Sequence, residues 1–142
     1  MSARLLVLGM ILLLAACGGG DSSTPAAPAA VVVVNDFYYW YLGYPGNVLA
    51  EGGYRNNDAL TADFVARLDD FVSQRMFYDP ILCAQDLPGD YRALPGASDD
   101  QVDVQTVWNP GTEHESISTF QVWLVQIDGR WRIDAIECRP GG

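Results

Sequence analysis

The chain contains no lysine, one histidine, three cysteines and no apolar run long enough to cross a bilayer. Each shortage removes a class of function. Without lysine, all eight basic residues are arginines, and they face eighteen carboxylates for a formal net charge of -10. Affinity for nucleic acid comes from neutralising phosphates with basic side chains, so such a surface excludes nucleic acid as a partner. Docking on anionic head groups through a basic patch is excluded for the same reason. The lone His114 lies in the polar run Glu113-His-Glu115 with no second histidine at ligand spacing, so it reads as a solvated turn rather than a metal site. Asp99-Asp100 with Asp103 lacks the spacing of a calcium loop. There is no Gly-x-Ser-x-Gly, no phosphate-cradling glycine loop before a helix and no His-Glu-x-x-His. The expectation is therefore no metal, no cofactor and no catalytic residue set.

What is present begins with a leader. Arg4 precedes the apolar run Leu5 to Ala16, which reaches about 18 Å as a helix against roughly 30 Å of hydrocarbon, too short to span. A charged start, a short apolar stretch and small residues at its end mark residues 1–16 as a signal peptide. Leu14-Ala15-Ala16-Cys17 resembles the lipobox of bacterial lipoproteins. That resemblance implies a diacylglyceryl group on Cys17 and an acyl chain such as palmitate on its new amine, a membrane anchor of several chains. Gly18 follows, where lipoproteins kept at the inner membrane commonly have Asp, which points to the outer membrane, facing the periplasm. Residues 17–30, rich in Gly, Ser, Pro and Ala, read as a flexible tether, and residues 31–142 as one domain.

With Cys17 consumed by lipid, Cys83 and Cys138 remain as an even pair, and a disulfide is expected in an oxidising envelope. Two buried thiols or a catalytic cysteine are the alternatives. A bridge closing a loop of about 55 residues stabilises by about 4 kcal/mol on the chain-entropy model.

The domain reads as helices followed by strands, an α+β class. Val33, Val34, Phe37, Trp40, Tyr41 and Tyr44 share a helical stripe that Pro45-Gly46 ends, although four consecutive valines are also compatible with a strand start. A polar stretch, Gly52 to Asp58, separates it from a second helix with Leu60, Phe64, Leu68, Phe71 and Val72 on one face, capped by Thr61 or Asn57 and ending before Pro80. Ile81 to Leu94 reads as a loop or short strands. Three β-prone runs follow, around Val102 to Trp108, Ile117 to Ile127 and Trp131 to Cys138, the last two joined by the hairpin signal Asp128-Gly129. Ile117 to Ile127 is apolar on both faces, as expected of a strand covered on one side and lining something on the other.

Tyr78-Asp79-Pro80-Ile81-Leu82-Cys83-Ala84-Gln85-Asp86 gathers carboxylates, an amide and a phenol beside the expected disulfide. As structure, Asp86 turns a loop and Tyr78 packs. As a site, Tyr41, Tyr78, Asp79, Gln85 and Asp86 would line a pocket, with burial raising a carboxyl pKa. This run, together with Phe37-Tyr-Tyr-Trp-Tyr-Leu42 and the terminal Trp131-Arg-Ile-Asp-Ala-Ile-Glu-Cys138, resembles a bacterial family of unknown function typified by the YbjP lipoprotein. The resemblance implies a cone like that of nuclear transport factor 2, a curved antiparallel sheet around N-terminal helices with a pocket at its wide end, and it brings no catalytic residues. The expectation is a lipid-anchored binding or accessory module for an envelope protein or a small ligand. The alternative is a small pocket enzyme using Asp79, Asp86 or Tyr41 as acid or base.

Overall fold

The computed structural model describes residues 27–74 and 77–138. The expected signal peptide, Cys17 and most of the tether lie outside the described residues. No described helix is long and apolar enough to cross a membrane.

The first helix, α1, runs Ala29–Leu42, so it begins two residues inside the stretch expected as tether. The valines resolve as helix because Val31, Val34, Phe37, Tyr38 and Tyr41 then fall on the buried side, whereas strand alternation would spread them over two faces. The helix ends at Leu42, three residues before Pro45, where the Gly43 amide closes on the carbonyl of Tyr39. Tyr44, expected on the helical stripe, stands beyond it. A short helix α2, Val48–Glu51, follows and was not anticipated. Asn47 caps it by accepting from the Ala50 amide at 2.9 Å, while Glu51 accepts from the Asn47 amide at 3.1 Å, a reciprocal exchange of the capping-box kind. Gly52, at φ 72°, ends α2 in the left-handed region where only glycine rests without strain, and a 3-10 turn, Gly53–Asn56, follows.

The helix α3, Ala62–Ser73, is capped by Thr61, whose hydroxyl accepts from the Phe64 amide at 3.0 Å. Asn57, the other expected cap, instead accepts from the Ala59 amide two residues on. Leu60, expected on the helix face, precedes α3 and bridges to Ile133.

Four antiparallel strands, β1 (Asp90–Pro95), β2 (Gln101–Trp108), β3 (Ser116–Ile127) and β4 (Arg130–Glu137), form one sheet in sequence order. The fold is α+β, with the helices first. Asp128 and Gly129 both take positive φ, 52° and 73°, which fits the twist of a tight β3–β4 hairpin. A register shift at Trp123/Leu124 leaves Asp134 as the extra residue in β4. That bulge turns Asp134 toward α3, where it accepts from the Thr61 hydroxyl at 2.8 Å and its carbonyl accepts from Arg67.

The core lies between the helices and one sheet face, where Val102, Val104, Phe120, Val122, Leu124 and Ile133 meet Val34, Phe37, Tyr38, Phe64 and Leu68. The opposite face corrects the expectation for β3. Ile117 is 48% exposed there, and Val125 and Ile127 are also exposed. Helices cover the sheet on one side, so the second apolar row of β3 lines nothing among the described residues and faces solvent.

Candidate functional site

The site is built from the segment that leaves α3. The Asp79 amide donates to the Ala84 carbonyl at 2.7 Å and the Ala84 amide returns to Asp79 at 3.3 Å, closing a tight loop. One oxygen of the Asp79 carboxylate, Oδ1, accepts from the amides of Ile81 and Leu82 at 2.8 and 3.1 Å, the turn that an aspartate before Pro80 readily forms. The other, Oδ2, accepts from the Tyr41 hydroxyl at 2.6 Å. Tyr38, wholly buried, donates to the Ile81 carbonyl at 2.7 Å. The loop is thus fastened to α1 by two phenols and to the core by Ile81 and Leu82, both buried. Cys83 takes φ 54°, a left-handed conformation costing about 1–2 kcal/mol that the surrounding bonds must hold. Cys83 is joined to Cys138 at the end of β4, with their Cα atoms 5.3 Å apart.

This fixed loop forms the floor of a cleft of about 530 Å³ between the end of α1, α2, the last turns of α3 and the 77–87 segment. Among the described residues no strand residue lines it. Between sheet and helices, where a cone would hold its pocket, Phe64 and Phe120 are buried with Trp40 and Trp131 half-buried, and a smaller cleft of about 310 Å³ opens where Trp131 and Arg132 of β4 meet Val33 and Phe37 of α1. Tyr41, Tyr78, Asp79, Gln85 and Asp86, the five residues singled out from sequence, all line the cleft. Their situations differ. Tyr41 and Asp79 are the inner pair, the tyrosine buried, whereas Gln85 and Asp86 are exposed. Tyr78 packs edge-on to Phe71, ring centroids 5.1 Å apart, which fixes its ring against α3.

Tyr44, on the aromatic stripe that could be core or cleft lining, borders the same cleft, and sequence reasoning missed Val48, Phe71, Phe77 and Leu87, which line it too. Phe71 was assigned to the core face of α3 but sits at the helix end where the core stops. Tyr44 and Val48 needed α2, whose signal was the Asn47 cap and the Gly52 stop around four residues. Tyr44 reaches Glu51 at 3.3 Å.

Burial pushes the Asp79 carboxyl above the usual carboxylate range, although the Tyr41 hydroxyl and the amides of Ile81 and Leu82 pull it back. Burial, and then the Asp79 charge, raise the Tyr41 hydroxyl well above its ordinary value, so it keeps its proton. Among the described residues lining the cleft no side chain is basic. Asp86 has no hydrogen bond or ion pair to any described residue, and so presents an uncompensated carboxylate beside aromatic rings. His114 stands elsewhere, in the exposed β2–β3 turn, its imidazole 3.6 Å from Glu113.

No family model matches the chain, and no curated protein matches it. A solved structure of a protein of unknown function from Bacteroides thetaiotaomicron VPI-5482 is similar, with a TM-score of 0.60 at 27% identity over 78% of this chain and 88% of that one. The likeness is one of α+β fold, and nothing in that neighbour's description points to catalysis.

Proposed function

We propose that the chain is a lipid-anchored binding module of the bacterial envelope, held to the outer membrane through Cys17 and offering the cleft to a small ligand on the periplasmic side. The likeness of its leader to a lipobox and of its Tyr78 to Asp86 run to the YbjP lipoprotein family supports the anchored setting. The observation that carries the binding reading is the cleft itself: a rigid floor, aromatic walls and free polar groups at the rim, at a volume typical of small-molecule sites. In this reading the domain is a cone-like scaffold whose binding surface lies at the helix ends.

The rival reading, an enzyme using Asp79, Asp86 or Tyr41 as acid or base, draws on the contact between Tyr41 and Asp79. It is the weaker of the two. Asp79 already accepts three hydrogen bonds, which leave about one lone pair, on Oδ2, to meet a substrate proton. The Tyr41 hydroxyl holds its proton too firmly to act as an acid near neutrality.

Intact-mass analysis of the membrane fraction tests the anchor. The expected product lacks residues 1–16 and carries diacylglyceryl and acyl mass on Cys17, and Cys17→Ser releases the protein; an unmodified Cys17 thiol contradicts it. For the cleft, amide NMR of the full chain against a small-molecule library should show shifts centred on Tyr44, Phe71 and Asp86. Shifts confined to the open sheet face would contradict the site.

A further inference from the structure

We infer that the ligand of this cleft is a small organic cation carrying an apolar body, an amine or quaternary ammonium joined to an aromatic or branched aliphatic group; the inference rests on the binding-module reading above. The walls are rings. Tyr44, Phe71, Phe77 and Tyr78 all line the cleft, and Phe77 at 94% and Leu87 at 70% exposure leave apolar surface at its mouth. Such surface is stabilised when a ligand of matching character covers it. The ionisable groups on the same lining are carboxylates of Asp79 and Asp86, with no basic side chain among the described residues.

Three ligand classes can be weighed against that lining. An anion meets two carboxylates and no countercharge among the described residues, so Coulomb repulsion from the lining opposes it. A neutral apolar ligand covers the rings but strips water from Asp86, whose carboxylate then has no described partner, a desolvation penalty without return. A cation with an apolar body answers both features. Its charge pairs with Asp86 and lies over the rings, an arrangement that aromatic sites use for ammonium groups, while its body covers Phe77 and Leu87. The net charge of -10 adds a field that concentrates cations near the domain and disfavours anions. Discrimination against the anion is thus built by repulsion as much as by attraction.

The test uses the full chain and three probes of similar size: phenethylammonium, 2-phenylethanol and phenylacetate, titrated by calorimetry with amide NMR to locate binding. Phenethylammonium is expected to bind about five-fold or more tightly than 2-phenylethanol, with phenylacetate weakest, as pairing with one partly exposed carboxylate plus ring contact implies. Asp86→Asn should shrink the preference for the amine to about two-fold or less by weakening the amine and tightening 2-phenylethanol, which no longer strips water from a carboxylate; since the exposed Asp86 side chain bonds to no described residue, its loss should leave the urea unfolding midpoint unchanged. If the alcohol binds in the cleft as tightly as the amine, the cation class is overturned and the cleft reading stands. If no probe shifts cleft amides, or all bind elsewhere, both are overturned. If the amine binds in the cleft but Asp86→Asn leaves its preference intact, the assigned recognition is wrong.

Discussion

Two tyrosine–aspartate pairs brace this domain, and chemically they are the same contact. Tyr41 donates to Asp79 at the floor of the cleft, and Tyr54 donates to Asp69 on the outer side of α3. Their surroundings differ. Asp69, its side chain 42% exposed, also accepts from Arg55 Nε at 2.8 Å, so the Tyr54 bond and then Arg55 hold its carboxyl below the ordinary range. Asp79 has no described cation beside it, and burial outweighs three hydrogen bonds to push its carboxyl up. On the tyrosine side both hydroxyls rise, that of Tyr54 pushed up to about 12 by burial and then by Asp69. The same hydrogen bond thus accompanies opposite carboxyl shifts, and desolvation decides the sign. The outer pair is a charged surface brace. The inner pair is a clamp that fixes a half-buried floor under the cleft, with Asp79 spent on holding its own loop.

The comparison can be broken by variants of graded effect. The largest loss is expected from Cys83→Ser with Cys138→Ser, about 4 kcal/mol by urea unfolding, since the bridge closes a long loop in the unfolded chain. A loss below about 1 kcal/mol would mean that hydrogen bonds alone hold the loop. Asp79→Ala comes next, at about 2–4 kcal/mol, because it strands the Tyr41 hydroxyl and two amides in a buried setting. Asp69→Ala should cost far less in the same assay; equal losses would erase the distinction between the pairs. Tyr41→Phe keeps the ring and removes one bond, for about 1–2 kcal/mol. The smallest effect is one of pH. With its pKa raised in the fold, Asp79 favours the native state most below the ordinary carboxylate range, and that contribution is lost as pH rises through the raised value. Asp69 works oppositely, favourable above the ordinary range and lost as pH falls through its lowered value. Asp79→Asn should therefore flatten the decline in stability on the alkaline side of the carboxylate range, and Asp69→Asn the decline on its acid side, each read from urea midpoints against pH.

Features that rest on local chemistry were legible in the sequence. Thr61 as a cap, Asp128-Gly129 as a hairpin and the 3.6-residue spacing of Phe64 and Leu68 each carry their signal within a few residues. Tyr78, Asp79, Gln85 and Asp86 were found because Asp79-Pro80 and a run of polar side chains beside a cysteine mark a tight, functionalised loop, and Tyr41 because it stands on the aromatic stripe of the first helix. What depended on distant packing was not legible. Tyr38 lay off the expected stripe of α1, yet it is wholly buried because α1 runs between the sheet and the 79–84 loop and has two neighbours to satisfy. The helix α2 is too short for any periodic signal. The second apolar row of β3 was expected to line something, since the sequence of one strand does not say how many layers cover it. The cleft's position at the helix ends, rather than inside the sheet, followed from the same unknown.

The central claim is that the cleft floor is a desolvated clamp, and carboxyl-carbon NMR titration of the full chain tests it most directly. The account predicts that Asp79 titrates above the ordinary carboxylate range while Asp69 titrates below it, and that Tyr41→Phe moves Asp79 higher still, because the lost hydrogen bond had favoured its charged form. An Asp79 that titrates at or below the ordinary range, or that does not respond to Tyr41→Phe, would contradict it.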